Sequence, residues 1–256
     1  MFRLALNSYC LKTEPISIIH FVTTKCNARC KHCFIDFSDP DMSRNDLNLN
    51  EITTLTKSLG KSLFNVNLTG GEPFLRKDLF EIAKAYFSNT SAQSLFITTN
   101  GYFTERIKDF LDNLISSGIN RKVTIQFSID NFEEEHDKNR KVDGLFRRAL
   151  DSYFLVKSYK DQDIMPNICI TITHHNYHNV MKLYSYLKRL GIDSCTATMM
   201  REAGIVKEID VEIKKKLLLA YIELTKIIRE DQLSGVMKGF EKHLQGRLMN
   251  SKNMHQ

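Results

Sequence analysis

Cys26, Cys30 and Cys33 lie in the run TTKCNARCKHCF, directly after the apolar segment ISIIHFV. Three thiolates from one short loop are too many for a disulfide and one too few for a closed tetrahedral metal site. Three protein ligands leave a coordination position open for chemistry. Iron–sulfur clusters are held by thiolates, one per iron in the cubane form. A four-iron cluster on these three cysteines leaves one iron open to a small molecule. The residues alone also allow a structural zinc knuckle with His20 or His32 as fourth ligand, but no second CxxC or His pair follows at zinc-finger spacing.

Such a loop needs rigid elements behind it. Short apolar runs alternate with amphipathic segments along the chain. The pattern predicts strands over 17–22, 63–68, 94–99, 122–129, 167–173 and 193–200, and helices over 48–60, 77–87, 103–118, 144–159 and 177–191. Asn48 and Glu51 have the spacing of a capping box, and Gly60, Gly118 and Gly191 stand at helix ends. Six βα steps argue for a parallel sheet with helices outside. Every candidate motif then falls at the C-terminal end of a strand, where βα loops converge on one mouth. Beyond Glu208 the pattern changes to two helices, 209–230 and a second over VMKGFEKHLQGRLMN, before the polar tail SKNMHQ. The expected division is a lead-in over 1–15, a barrel over 16–206 and a helical extension over 207–256.

At 256 residues the chain can bury a substantial core. Its net charge of +6 comes from scattered Lys and Arg. That permits an acidic substrate, and nucleic acid is not expected as a partner. No run of about 18 uncharged apolar residues suggests a membrane span, and the N-terminus reads as no secretory signal. A clustered trio among six cysteines favours a reducing, cytoplasmic setting.

CNARCKHC resembles the signature of radical S-adenosylmethionine (SAM) enzymes, with His32 at the position before the third cysteine that is usually aromatic. LTGGEPF (68–74), ITTNG (97–101) and FSID (127–130) resemble that family's second-, third- and fourth-strand motifs, in family order, and the resemblance covers residues 16–200. It implies an α/β fold, a partial (β/α)6 TIM-like barrel open on one side with a C-terminal helical tail. It also implies one [4Fe–4S] cluster on Cys26, Cys30 and Cys33, and S-adenosylmethionine bound to the fourth iron. Reductive cleavage of SAM would give a 5′-deoxyadenosyl radical that abstracts hydrogen, with flavodoxin or ferredoxin as reducing partner. The set of motifs is most similar to the SPASM and twitch branch, whose members carry further clusters on C-terminal cysteines. No cysteine follows Cys195, so the expectation is either a one-cluster enzyme or a fragment.

The resemblance places His32 beside adenine. Glu72 would receive the SAM amino group, with Pro73 stiffening the turn and Gly70 and Gly71 letting backbone approach the ligand; without the cysteine loop, TGGEP reads equally as a tight strand-to-helix turn. Ser128 and Asp130 alternate across Ile129 and are expected on the cavity face, facing ribose hydroxyls or the methionine carboxylate; a helix cap is the other reading of Asp130. Arg140 resembles an arginine near the SAM carboxylate. Thr99 and Asn100 are expected to line the site, although Asn100–Gly101 is also a turn pair. His174, His175 and His178 read as loop histidines before a metal site, and Met199 and Met200 as core filling. Cys169 and Cys195 read as buried small residues, and Cys10 has no assignment. The expected substrate is a peptide or protein side chain, with a small molecule or nucleoside as alternative. A cluster-binding subunit that acts only with a partner is the reading from another class.

Overall fold

The computed structural model describes residues 13–37, 41, 46–159, 162–203, 206 and 208–253, with side chains described as far as residue 234. Cys10, most of the lead-in and the last three residues of the tail lie outside them. Six strands, β1 (Ser17–Thr23), β2 (Asn65–Gly70), β3 (Ser94–Thr99), β4 (Lys122–Ser128), β5 (Ile164–Ile172) and β6 (Cys195–Met199), pair in chain order into one all-parallel sheet. Helices α1 (Leu49–Ser58), α2 (Leu79–Asn89), α3 (Thr104–Ser116), α5 (Leu145–Lys157) and α6 (Val180–Arg189) connect successive strands. The short helix α4 (Glu133–Arg140) precedes α5, and α7 (Val211–Asn253) follows β6.

The alternation of strand side chains separates two environments. Val66, Leu68, Leu95, Ile97, Ile125 and Phe127 are buried in the hydrophobic core. Asn67, Thr69, Thr98, Gln126, Ser128 and Thr171 line a cavity on the other face. The sheet therefore buries its apolar face under helices and keeps hydroxyls and amides for the site. β1 and β6 are its two edges.

Local signals account for most boundaries. Asn48 accepts from the N–H groups of Asn50 and Glu51, and the Glu51 carboxylate accepts from the Asn48 N–H, the capping box that the sequence predicts. β2 runs to Gly70, past the apolar stretch that marks it in the sequence. Pairing continues beyond its end, with Gly71 N–H donating to Thr23 O at 2.7 Å and Glu72 N–H to Lys25 O at 2.8 Å.

Two features differ from the sequence reading. Helix α4, EEEHDKNR, has no apolar stripe, so periodicity does not announce it; its signal is charge order, with Glu133, Glu134 and Glu135 in the first turn and Lys138 and Arg140 in the last. The two expected C-terminal helices are one, α7, whose backbone runs helical through Gly235. A mid-helix glycine costs about 1 kcal/mol against alanine, too little to end a long helix. The first half of α7 is core: Leu217, Ala220, Leu224 and Ile228 join the central cluster at helical spacing.

Candidate active site

The cysteine loop starts where β1 stops. Its first turn is held by Asp46, which accepts from the hydroxyls of Thr23 (2.8 Å) and Thr24 (3.1 Å) and from the Thr24 N–H. Its second half is held by the C-terminus of α4. Arg29 N–H donates to Arg140 O and Lys31 N–H to Asn139 O, both at 3.0 Å. Cys26, Cys30 and Cys33 then line one cavity of about 360 Å³ together with Gly70, Gly71 and Asn100. Five cysteines are described and all are free thiols.

Burial raises all three loop thiols, Cys26 to about 12. The Ala28 N–H opposes this at Cys26, Arg140 at Cys30, and the Ile35 N–H and Arg140 at Cys33. A metal bound by these sulfurs would stabilise the thiolates against that burial, with protons released on loading. Among the described residues no three His, Cys, Asp or Glu side chains converge on a single ion. Against the zinc alternative, His20 does not line the cavity and packs on Tyr86, its Nδ1 2.9 Å from the hydroxyl. A cubane takes each thiolate on a different iron. The three loop thiols, with no carboxylate among the lining residues, are a donor set that fits it, and Cys169 of β5 also lines the cavity.

Gly70 and Gly71 line the cavity, but the ligand is not what forbids a side chain there. A Cβ on Gly70 would sit 2.1 Å from Thr23 O, and one on Gly71 2.2 Å from Lys25 O. The glycines let β2 run against the chain entering the cysteine loop. Glu72 is fully buried and does not line the cavity, and neither does Pro73, which opens a short 3₁₀ turn. Glu72 Oε1 accepts from Thr99 Oγ1 (2.7 Å) and Phe74 N–H (3.1 Å), and Oε2 from Asn100 N–H (2.8 Å). Burial raises its carboxyl against the pull of these donors.

Thr99, Asn100 and Ser128 line the cavity as expected positions. Asn100 Nδ2 donates to Asn27 Oδ1 at 2.9 Å and its Oδ1 accepts from Tyr102 N–H, so it fastens the loop and also makes the turn. Asp130 departs from the sequence reading. β4 ends at Ser128, so strand alternation does not carry to Asp130. It is 1 % exposed and lies outside the cavity lining. Arg140 donates to its Oδ2 through Nε (3.0 Å) and Nη2 (2.6 Å). Burial would raise this carboxyl, and the Arg140 guanidinium outweighs it, holding Asp130 down at about 2. Neither does Asp130 cap α4, whose N-cap is Phe132.

His32 lines the cavity. Its Nδ1 is 3.0 Å from Asn139 Nδ2 and its Nε2 3.6 Å from Asp130 Oδ2. His174 and His175 lie in an exposed loop with ring centroids 3.9 Å apart and planes tilted by 46°, and gather no metal group among the described residues. Met199 and Met200 line the cavity rather than only filling core. Asn27, Asp46, Asn139 and Arg201 carry no sequence signal, because their partners lie 22 or more residues away: Arg201, for example, stacks its guanidinium over Phe34 at 5.1 Å.

The family description "Radical SAM superfamily" matches residues 21–187. Pre-heme d1 synthase of Dinoroseobacter shibae is 30% identical over 194 residues, 75% of this chain and 45% of that protein. GTP 3′,8-cyclase of Haemophilus influenzae is 39% identical over 83 residues, 32% of this chain and 25% of that protein. Among solved structures, native anSMEcpe with bound AdoMet and Kp18Cys peptide superposes with a TM-score of 0.61 at 22% identity, covering 86% of this chain and 61% of that one. This chain spans less than half the length of either curated relative.

Proposed function

The chain belongs to the radical SAM superfamily, and from that membership we propose an enzyme that takes a hydrogen atom from a peptide or protein side chain. Membership brings one [4Fe–4S] cluster and S-adenosylmethionine as cofactors. When bound, they supply the 5′-deoxyadenosyl radical that abstracts the hydrogen. The observation carrying the reading is that the three thiols of the cysteine loop share a single cavity with Gly70, Gly71, Thr99, Asn100 and Ser128.

Each residue has a job that follows from its chemistry. Cys26, Cys30 and Cys33 hold the cluster. Glu72, buried behind the cavity, holds two of its lining residues in place by accepting from the Thr99 hydroxyl and the Asn100 N–H. Ser128 offers a hydroxyl to ribose, and His32, fixed by Asn139, a flat side for adenine. The apolar lining of Phe21, Phe34 and Phe37 limits water and stray hydrogen donors near the radical. No proton transfer is needed for the abstraction, so no general base is assigned.

A peptide substrate is supported by the open sheet. β1 is an edge strand, and Ile19 and Phe21 project into the cavity while 59% and 40% exposed. Arg201, which lines the cavity with its guanidinium over Phe34, favours an acidic group on the substrate. A small-molecule substrate is the second reading, favoured by the likeness to pre-heme d1 synthase. The free thiols suit a reducing compartment, with a flavodoxin or ferredoxin as electron donor.

Anaerobic reconstitution with iron and sulfide, reduction by dithionite and addition of SAM test the class. Cluster-dependent 5′-deoxyadenosine is the expected product. A chain that binds zinc and assembles no cluster overturns the reading.

A further inference from the structure

We propose that Arg140 sets the reduction potential of the cluster, and that Asp130 fixes where its charge stands. The inference rests on the cluster reading above. Arg140 is 5% exposed, and its Nη1 lies 3.8 Å from Cys30 Sγ, within hydrogen-bond reach of a sulfur. Its other two nitrogens are both committed to Asp130 Oδ2. Asp130 cannot swing away: Thr171 N–H donates to its Oδ1 at 3.2 Å, and Asn176 Nδ2 to its backbone carbonyl at 2.6 Å. The guanidinium is thus a fixed positive charge pointing one N–H at a cluster ligand, with its counter-charge on the far side.

Reduction adds one negative charge to the cluster. Hydrogen bonds to the ligand sulfurs and nearby net charge are what tune such potentials, and exclusion of water strengthens both. The guanidinium favours the reduced form and so raises the potential. Asp130 partly cancels that field. The backbone clamp from Arg29 and Lys31 uses main-chain carbonyls of Arg140 and Asn139, so side-chain substitution leaves it in place.

The test is an EPR-monitored redox titration of the reconstituted, SAM-free chain, with iron counted per protein, on wild type, Arg140→Met, Arg140→Lys and Asp130→Asn. Arg140→Met is expected to lower the potential, Asp130→Asn to raise it, and Arg140→Lys to fall between wild type and Arg140→Met. A purely structural role moves occupancy and leaves the potentials alone. Unmoved potentials, or shifts of the same sign in Arg140→Met and Asp130→Asn, overturn the proposal, as does weaker SAM binding at an unchanged potential. If Arg140→Met loads no cluster, Asp130→Asn decides alone, and an unraised potential there overturns it. A wild-type chain that binds no four-iron cluster removes the premise, which the iron count reports separately from any shift.

Discussion

At the residue scale the site divides into groups that touch its cavity and groups that hold those in place. Cys30 belongs to the first and Cys195, buried in β6, to neither. Cys30→Ala is expected to abolish the four-iron absorbance and SAM cleavage together, and Cys195→Ala to keep both. Cleavage retained by the first variant contradicts the assignment. His136 belongs to the second group. It is fully buried, its Nδ1 accepts the Asp130 N–H at 3.3 Å, and its Nε2 has no partner. Burial, and then Arg140, push it from the ordinary 6.5 to about 3. Above 6.5 the ring is neutral in folded and unfolded chains alike. Below it the unfolded chain takes up a proton that the folded chain refuses, so stability declines from 6.5 toward 3. His136→Gln is expected to flatten urea-unfolding stability against acid by up to about 1.4 kcal/mol per pH unit. A slope equal to wild type's contradicts the buried neutral ring. Asp130 acts lower: its stabilisation, present above 3.8, is lost as pH falls toward about 2.

At the scale of elements the cysteine loop is clamped from two sides, by β2 through Gly70 and Gly71 and by the end of α4. Gly71 has no left-handed backbone, so close approach alone explains it. Gly71→Ala must push the Lys25 carbonyl aside at a cost of about 1–3 kcal/mol. Iron bound after reconstitution should drop well below wild type while circular dichroism keeps the fold. Gly118→Ala is the comparison: its Cβ meets nothing within 4 Å, at a φ of +69°. It should lose about 1–2 kcal/mol of stability and no iron. Equal iron in both variants refutes the clamp. Helix α4 shows how a charged segment earns its place: its buried residues, His136 and Arg140, are polar and one turn apart, and what it contributes is a hydrogen-bonded end.

At the scale of the whole molecule, α7 joins the barrel instead of trailing from it. Leu224 is fully buried, and the Tyr184 hydroxyl donates to Asp231 Oδ2 at 2.7 Å. Leu224→Ala is expected to cost about 2–5 kcal/mol in urea unfolding, whereas Leu219→Ala, at 67% exposure, should stay within about 0.5 kcal/mol of wild type. Similar values would mean that the helix is not part of the cooperative core. No described helix is long and apolar enough to cross a membrane. What the sequence by itself determined were the properties written in neighbouring residues: the three thiols and their loop, six strands and their order, the capping box, and glycine positions where backbone must come close. These follow from spacing and periodicity, which are local. What only the tertiary structure decided were relations between distant segments: that Gly70 and Gly71 yield to backbone rather than ligand, that Asp130 turns from the cavity to Arg140, that Asn139 orients His32, and that α7 is one helix docked on the sheet. Each depends on which carbonyl, carboxylate or apolar face folding brings within a few ångströms, and pairwise contacts across 10 to 110 residues leave no periodic mark on the chain.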